Sequence, residues 1–303
     1  MTTRRFVRSI TIGALILPLG ALQAQVSRQR VDTSFTFDRG GSVNLSLVSG
    51  EIRVLTGTGN EIRILATIER GRLETSFSRG QVSIEARSVN SRMGATRYEL
   101  TVPAGTRVTA SAVSGEILVR GTGTEVEAHT VSGEIMVEDA NGVVELESVS
   151  GDIMLTKASG RIDLSTVSGG IDLTDVSGDV GAESVSGSII VRRSRLRAFR
   201  TETVSGDVSY DGTFSADGDY RLNTHSGDVM LTIPANGNAA LELETWSGNI
   251  ASDFPLTLQP GQDVGRRNRR MQFNIGTGGG RVSAETFSGN ITIRRALARG
   301  TPE

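Results

Sequence analysis

One short phrase, Ser-Gly-(acid or small)-(Ile/Val)-x-(apolar), recurs every nine residues through the middle of the chain. It is strict at Ser114-Gly115-Glu116-Ile117, Ser132-Gly133-Glu134-Ile135, Ser150-Gly151-Asp152-Ile153, Ser168-Gly169-Gly170-Ile171 and Ser186-Gly187-Ser188-Ile189, a step of 18. The half-steps are looser, at Gly123-Thr124, Asn141-Gly142, Ser159-Gly160 and Ser177-Gly178. A fixed short period marks a repeat architecture, in which each unit contacts mainly its neighbours. Ser-Gly is a turn signal, because glycine accepts positive φ without steric cost. The alternation that follows, as in Ile153 and Leu155, reads as a strand. Nine residues cannot hold a strand, a turn and a crossover helix. The spacing therefore predicts an all-β, single-stranded parallel β-solenoid (a right-handed β-helix or β-roll) with two ~9-residue strand-turn units per rung.

Parity then assigns the core. One sheet turns Ile117, Val119, Ile135, Val137, Ile153, Leu155, Ile171, Leu173, Ile189 and Val191 inward, and the facing sheet supplies Val126, Val144, Leu146, Ile162, Leu164 and Val180. Before each strict Ser-Gly stands a column of Val113, Val131, Val149, Val167, Val185 and Val204, continued by His225, Trp246 and Phe287. We read this column, His225 included, as corner packing. One residue earlier runs a hydroxyl column, Thr130, Ser148, Thr166, Ser184, Thr203, Thr224, Thr245 and Thr286, suited to satisfying corner backbone groups. Looser Ser-Gly copies follow at Ser205, Ser226, Ser247 and Ser288, and an early one stands at Ser49. The last step, Ser247 to Ser288, reads as two rungs, one lacking Ser-Gly and carrying an inserted loop.

The same reading divides the chain into four parts. Residues 1–24 form a secretory signal peptide: Arg4, Arg5 and Arg8, an apolar run from Ile10 to Leu22, and a small-residue site ending at Ala24. Residues 25–108 are an irregular β-rich cap of the solenoid, 109–250 its regular repeats, and 251–303 C-terminal rungs with the inserted loop. Removing residues 1–24 leaves a net charge of about −5. That charge, without a basic stripe, argues against nucleic acid. No later run is apolar enough to span a membrane, so the mature chain is expected in the periplasm, on the cell surface or secreted. The dense basic run Arg266-Arg267-Asn268-Arg269-Arg270 reads as a solvated loop.

Catalytic signals are thin. Two histidines, His129 and His225, stand at unrelated positions, and the absence of cysteine excludes thiol chemistry and cysteine-bound zinc. The acids Glu116, Glu134 and Asp152 share a column that ends at Gly170, too short for the sustained ligand set of a calcium β-roll. Neither a cofactor nor a metal is expected. Parity exposes an acidic face of Glu127, Glu145, Glu147, Asp163 and Glu183 on one sheet. On the other it exposes an apolar stripe, Leu118, Met136 and Met154, the candidate contact site. It fits an envelope protein, a surface glycan, a second copy or another segment of the chain.

The Ser-Gly-Asp/Glu-Ile/Val repeats, the lead-in Leu100-Thr101-Val102-Pro103-Ala104-Gly105, and a tail in which Ser247-Gly248-Asn249-Ile250 precedes Asp253-Phe254-Pro255-Leu256 and Ser288-Gly289-Asn290-Ile291 together resemble the adhesin-type β-strand-repeat proteins of bacteria. The likeness covers roughly residues 30–295. It implies an exported cell-envelope β-helix with no catalytic residues to carry over, acting as an adhesin or a protein or glycan interaction scaffold. A polysaccharide-active β-helix enzyme and an envelope-stress regulatory component are the alternatives.

Overall fold

The computed structural model describes residues 29–88, 94–255 and 269–296, all strand, turn and extended connection without a helix. The segment read as an export signal lies outside them. Through the middle of the chain every strand pairs in parallel with the strand one repeat away. Asn141–Ser148 lies between Glu125–Ser132 and Ser159–Thr166, aligned residue for residue at a step of 18. The facing column stacks Ile135–Glu138, Ile153–Thr156 and Ile171–Thr174 in the same way. All sixteen residues assigned to the core by parity are buried, none above 4 % exposed.

The strict corner is drawn tight by glycine. A Cβ on Gly151 would lie 1.6 Å from the carbonyl oxygen of Gly133, one on Gly169 would lie 2.0 Å from that of Gly151, and one on Gly187 would lie 1.7 Å from that of Gly169. Close approach of backbones is the constraint at Gly151, Gly169 and Gly187. Positive φ is the added requirement at the half-step corner, where Gly142, Gly160 and Gly178 have φ of 110°, 122° and 112°. The buried hydroxyl column fastens this corner. Ser148, Thr166 and Ser184 accept hydrogen bonds from the amides of Gly151, Gly169 and Gly187 at 2.8, 3.1 and 2.8 Å. Thr203, Thr224 and Thr286 donate to the carbonyls of Gly187, Gly206 and Gly227 on the neighbouring rung. Thr130, buried likewise, has no such partner.

Where the repeat lengthens, the extra residues bring aromatic filling. Phe199, Tyr210, Phe214 and Tyr220 cluster with ring centroids 4.7–5.7 Å apart. The Tyr220 hydroxyl donates to the Leu196 carbonyl and accepts from the Ser215 amide, which satisfies it inside the core.

Both ends depart from simple stacking. The chain's first rung, Ser42–Gly57, lies between Arg107–Arg120 on one side and Gln81–Arg87 with Thr96–Pro103 on the other. Antiparallel strands Glu61–Ile68, Gln29–Thr36 and Arg72–Phe77 continue that end. At the other end the Ser247-to-Ser288 step does not contain two successive rungs. After Ala239–Thr245 the chain returns as one antiparallel strand, Arg269–Ile275. The rung Gly280–Thr286 with Ile291–Arg295 then slots between the rung before Ser226 and the rung of Ser247. The sheet is therefore mixed: parallel in its body, antiparallel at its ends. The basic run falls partly outside the described residues, and Arg270 stands in the returning strand, ion-paired to Glu242, rather than in a loop.

A methyl group at the glycine corner tests this packing. Gly169→Ala is expected to lower unfolding stability by about 2–4 kcal/mol, because both backbones must move apart, while exposed Ser168→Ala stays within about 0.5 kcal/mol. Urea unfolding followed by circular dichroism reads both; equal midpoints for the two variants would contradict the close approach.

Candidate functional site

The column ahead of the glycine corner faces water. Residues alternate inward and outward along the strand until the hydroxyl residue turns in, and then two consecutive residues, valine and serine, point out before the glycine. The expectation of corner packing is thus corrected for the valines, for Trp246 and Phe287, and for His225, all of which are exposed. Register places them side by side in the order Val48, Val113, Val131, Val149, Val167, Val185, Val204, His225, Phe287 and Trp246. At the ~4.8 Å spacing of paired strands the ridge runs ~43 Å, the length of the stack. No described segment lies over it: Val48 keeps 42 % of its surface and Trp246 52 %. A groove beside it is lined by Val167, Val185 and Val204 with Ser165, Glu183 and Glu202.

The aromatic end of the ridge is stacked, not splayed. His225 and Phe287 lie 5.0 Å apart with planes 5° from parallel, and Phe287 and Trp246 lie 6.1 Å apart at 11°. Phe287 is therefore covered on both faces, and Trp246 ends the row with its outer face free of a ring partner among the described residues.

The ridge has acidic margins. On the strand side, two residues before the ridge, Glu147, Glu183, Glu202, Glu285 and Glu244 are interspersed with Ser46, Ser111, His129, Ser165 and Asn223. On the corner side, three residues after, stand Glu116, Glu134, Asp152, Asp207 and Asp228, with Glu51 at the end. No lysine or arginine occupies either set of positions, in a chain whose basic residues nearly equal its acids. Several margin carboxylates take backbone donors from the next rung: Asp152 from Gly170 at 2.8 Å, Asp207 from Asp228 at 2.9 Å, and Asp228 from Asn290 at 2.7 Å. Of the acid column Glu116, Glu134 and Asp152, Asp152 is held in this way, and among the described residues no group of three or more metal-ligating side chains is placed to hold an ion.

Elsewhere many acids are matched by arginines. Arg120 pairs with Glu138 at 2.6 Å, Arg161 with Asp163 at 3.1 Å, Arg193 with Asp175 at 2.8 Å and Arg221 with Asp219 at 2.9 Å. The predicted stripe belongs to this matched surface. Leu118, Met136 and Met154 do stand side by side on adjacent strands, but Leu118 and Met136 are half-buried and the row ends at Asp172, which Arg192 pairs. The acidic face is as read, with His129 set into it: its Nε2 lies 2.9 Å from Glu127 and its Nδ1 3.1 Å from Glu147.

The fold defines a class: stacked-repeat β proteins. Within it, the chain belongs to the Toastrack DUF4097 family, whose model matches residues 25–294. No curated protein matches. Among solved structures, a "putative lipid binding protein" from Parabacteroides distasonis is 13 % identical with TM-score 0.49, over 88 % of this chain and 97 % of its own. A "putative adhesin" from Bacteroides fragilis is 10 % identical with TM-score 0.43, over 89 % and 99 %. A "putative cell adhesion protein" from Clostridium sporogenes is 11 % identical with TM-score 0.25, over 88 % and 100 %. At these identities and scores they say nothing of what this chain binds. Among the described residues no helix is long and apolar enough to cross a membrane.

His129 gives a measurable handle on the acidic face. Partial burial lowers its pKa, but hydrogen bonds and charge from Glu127 and Glu147 outweigh this and raise it above the ordinary histidine value. A raised folded pKa means that the stabilising contribution is complete below the unfolded value and is lost as pH rises through the folded one. The ring is partly exposed, so the effect on stability is small. Proton NMR titration should place the His129 midpoint above the model-peptide value, and Glu127→Gln should lower it; a midpoint indifferent to Glu127→Gln would contradict the geometry.

Proposed function

We propose that this protein is a non-enzymatic, exported component of the cell envelope, a right-handed single-stranded β-solenoid that serves as an interaction scaffold. The observation that carries this reading is the exposed ridge from Val48 to Trp246. Its side chains, each about half exposed, present on the order of 700 Å² of apolar surface, above the ~300–600 Å² of the largest patch on ordinary monomers. Keeping such a surface in water is unfavourable, and docking a partner removes the cost. The 18-residue parallel register supports the solenoid, and the general preference for right-handed crossovers supports its hand. Export rests on the tripartite N-terminal sequence.

The scaffold reading is tested in the native host. The chain should fractionate with the envelope and start after Ala24, and a photocrosslinker at position 149 should form adducts in intact cells. The double change Val131→Asp/Val167→Asp should abolish those adducts without altering the circular dichroism spectrum. A full-length cytoplasmic chain would overturn export. Turnover of an acidic glycan, abolished by a single Asp or Arg substitution, would overturn the non-enzymatic reading.

A further inference from the structure

The proposed scaffold leaves the chemistry of the partner open, and charge narrows it. We infer that the ridge docks a cationic amphipathic protein segment, one with an apolar stripe bordered on both sides by Lys or Arg. This deepens the proposed function and rests on it.

Three observations converge. The ridge is apolar apart from His225 and runs ~43 Å at the strand spacing, so its complement is an elongated stripe rather than a pocket ligand. Its exposed area, on the order of 700 Å², approaches the ~800 Å² that one partner contributes to a standard interface. Its margins carry acids on both sides; Glu51 at the end pairs with Arg53 and Arg97, and Glu147 lies against His129, but among the described residues none of Glu116, Glu134, Asp152, Glu183, Glu202 or Glu285 is in a salt bridge. Arginine is available to partner acids elsewhere on the sheets, as at Asp163, Asp172, Asp175 and Asp219, although the face of Glu127, Glu145 and Glu147 also lacks it.

The same observations disfavour the other occupants. A second copy would bring its own acidic margins against these, and like charges at an interface cost several kcal/mol. An anionic lipid surface or acidic glycan meets the same repulsion. A neutral glycan would need a ring face to stack on; Phe287 is covered on both sides by His225 and Trp246, so the outer face of Trp246 at the end of the row offers room for one sugar ring and leaves the rest of the ~43 Å ridge unused. A partner with basic borders meets the carboxylates while its apolar stripe covers the valines, as in helix-in-groove and basic-segment recognition.

The experiment uses the full exported chain and two synthetic amphipathic peptides, one with a leucine stripe bordered by lysines and one with the same stripe bordered by glutamates. Fluorescence anisotropy should show binding of the lysine peptide, weakened by salt, and at least tenfold weaker binding of the glutamate peptide. Glu183→Lys/Glu202→Lys should weaken binding at least tenfold, while the charge-matched Glu61→Lys/Asp217→Lys, away from the ridge, changes it less than twofold. Val167→Asp/Val185→Asp separates docking from plain attraction. It adds two carboxylates, so it strengthens a purely electrostatic contact and weakens a docked one; Val167→Ser/Val185→Ser repeats the test without a charge change.

Failure of the lysine peptide to bind, equal binding of the glutamate peptide, or tighter binding by the Val→Asp variant would overturn the inference. So would sedimentation of the free chain as a dimer that the Val→Ser variant dissociates, which would make a second copy the occupant. Ridge-dependent binding to phosphatidylglycerol vesicles would assign the surface to membrane instead. Because the photocrosslinking in cells does not depend on partner charge, adducts that persist while the lysine peptide fails would leave the scaffold reading standing and remove only this one.

Discussion

Everything at the working edge of this protein follows from how closely two glycine backbones approach. Each strict-corner glycine lies so near the carbonyl of its counterpart that a single methyl would sit well inside van der Waals contact. With the corner that sharp, the residues before it have few choices. The hydroxyl residue turns inward, where its oxygen reaches the glycine amide three residues on and, on several rungs, the neighbouring glycine carbonyl. The next two residues are forced out together. A β-branched valine suits the extended backbone there but is left about half exposed. The apolar ridge is thus a by-product of corner geometry only in its position. Its residue choice is not dictated by packing, since an exposed strand position accepts Thr or Ser as readily.

The ends solve a different problem. A stack of parallel strands has two open faces, each a row of unpaired amides and carbonyls able to recruit another chain. Here each end carries a rung out of sequence order and antiparallel strands beyond it. The Ala239–Thr245 strand has its parallel partner in Gly280–Thr286 and its antiparallel partner in Arg269–Ile275, so three segments close that end together. At the N-terminal end Ser42–Gly57 is held on both sides. Nearest-neighbour energetics make terminal repeats the weakest in a simple array. Interleaving ties the last rungs to segments far along the chain, which opposes fraying one rung at a time.

The body of the fold was legible because its information is periodic. Parity along Ile153-Met154-Leu155 and along Val144-Glu145-Leu146 depends only on strand geometry, and the inward residues followed. Parity fails where two consecutive residues face the same way, and that is where the ridge lies. Val149 and Ser150 both point out, so a reading that expected alternation put the apolar one inside. The signal that could have found it was the shape of the column: valine gives way to His225, Phe287 and Trp246, and a packed corner of fixed width would not admit rings in place of valine without enlarging. The rung order at the C-terminus was hidden for another reason. Ser-Gly marks where a rung turns but not which rung it turns against, and only the 41-residue step hinted at the return strand.

The charge pattern gives the ridge its meaning. On a solenoid each outward column is a row of equivalent positions, so a column's composition reflects what that row must do rather than one residue's neighbours. Several sheet-face and corner columns mix signs, and Arg193 on Asp175 or Arg120 on Glu138 shows neighbouring rungs neutralising one another. If only stability acted, the margin columns would do the same, because stacking carboxylates at strand spacing is mildly unfavourable in water. They instead keep acids and omit arginine over most of the ridge, with Asp152 and Asp207 steadied by backbone amides rather than by cations. Backbone donors hold a carboxylate in place and leave its negative charge on display. Corner-side carboxylates fixed by backbone amides, with strand-side Glu183 and Glu202 in no salt bridge among the described residues, make sense as a surface kept ready for positive charge arriving from outside the chain.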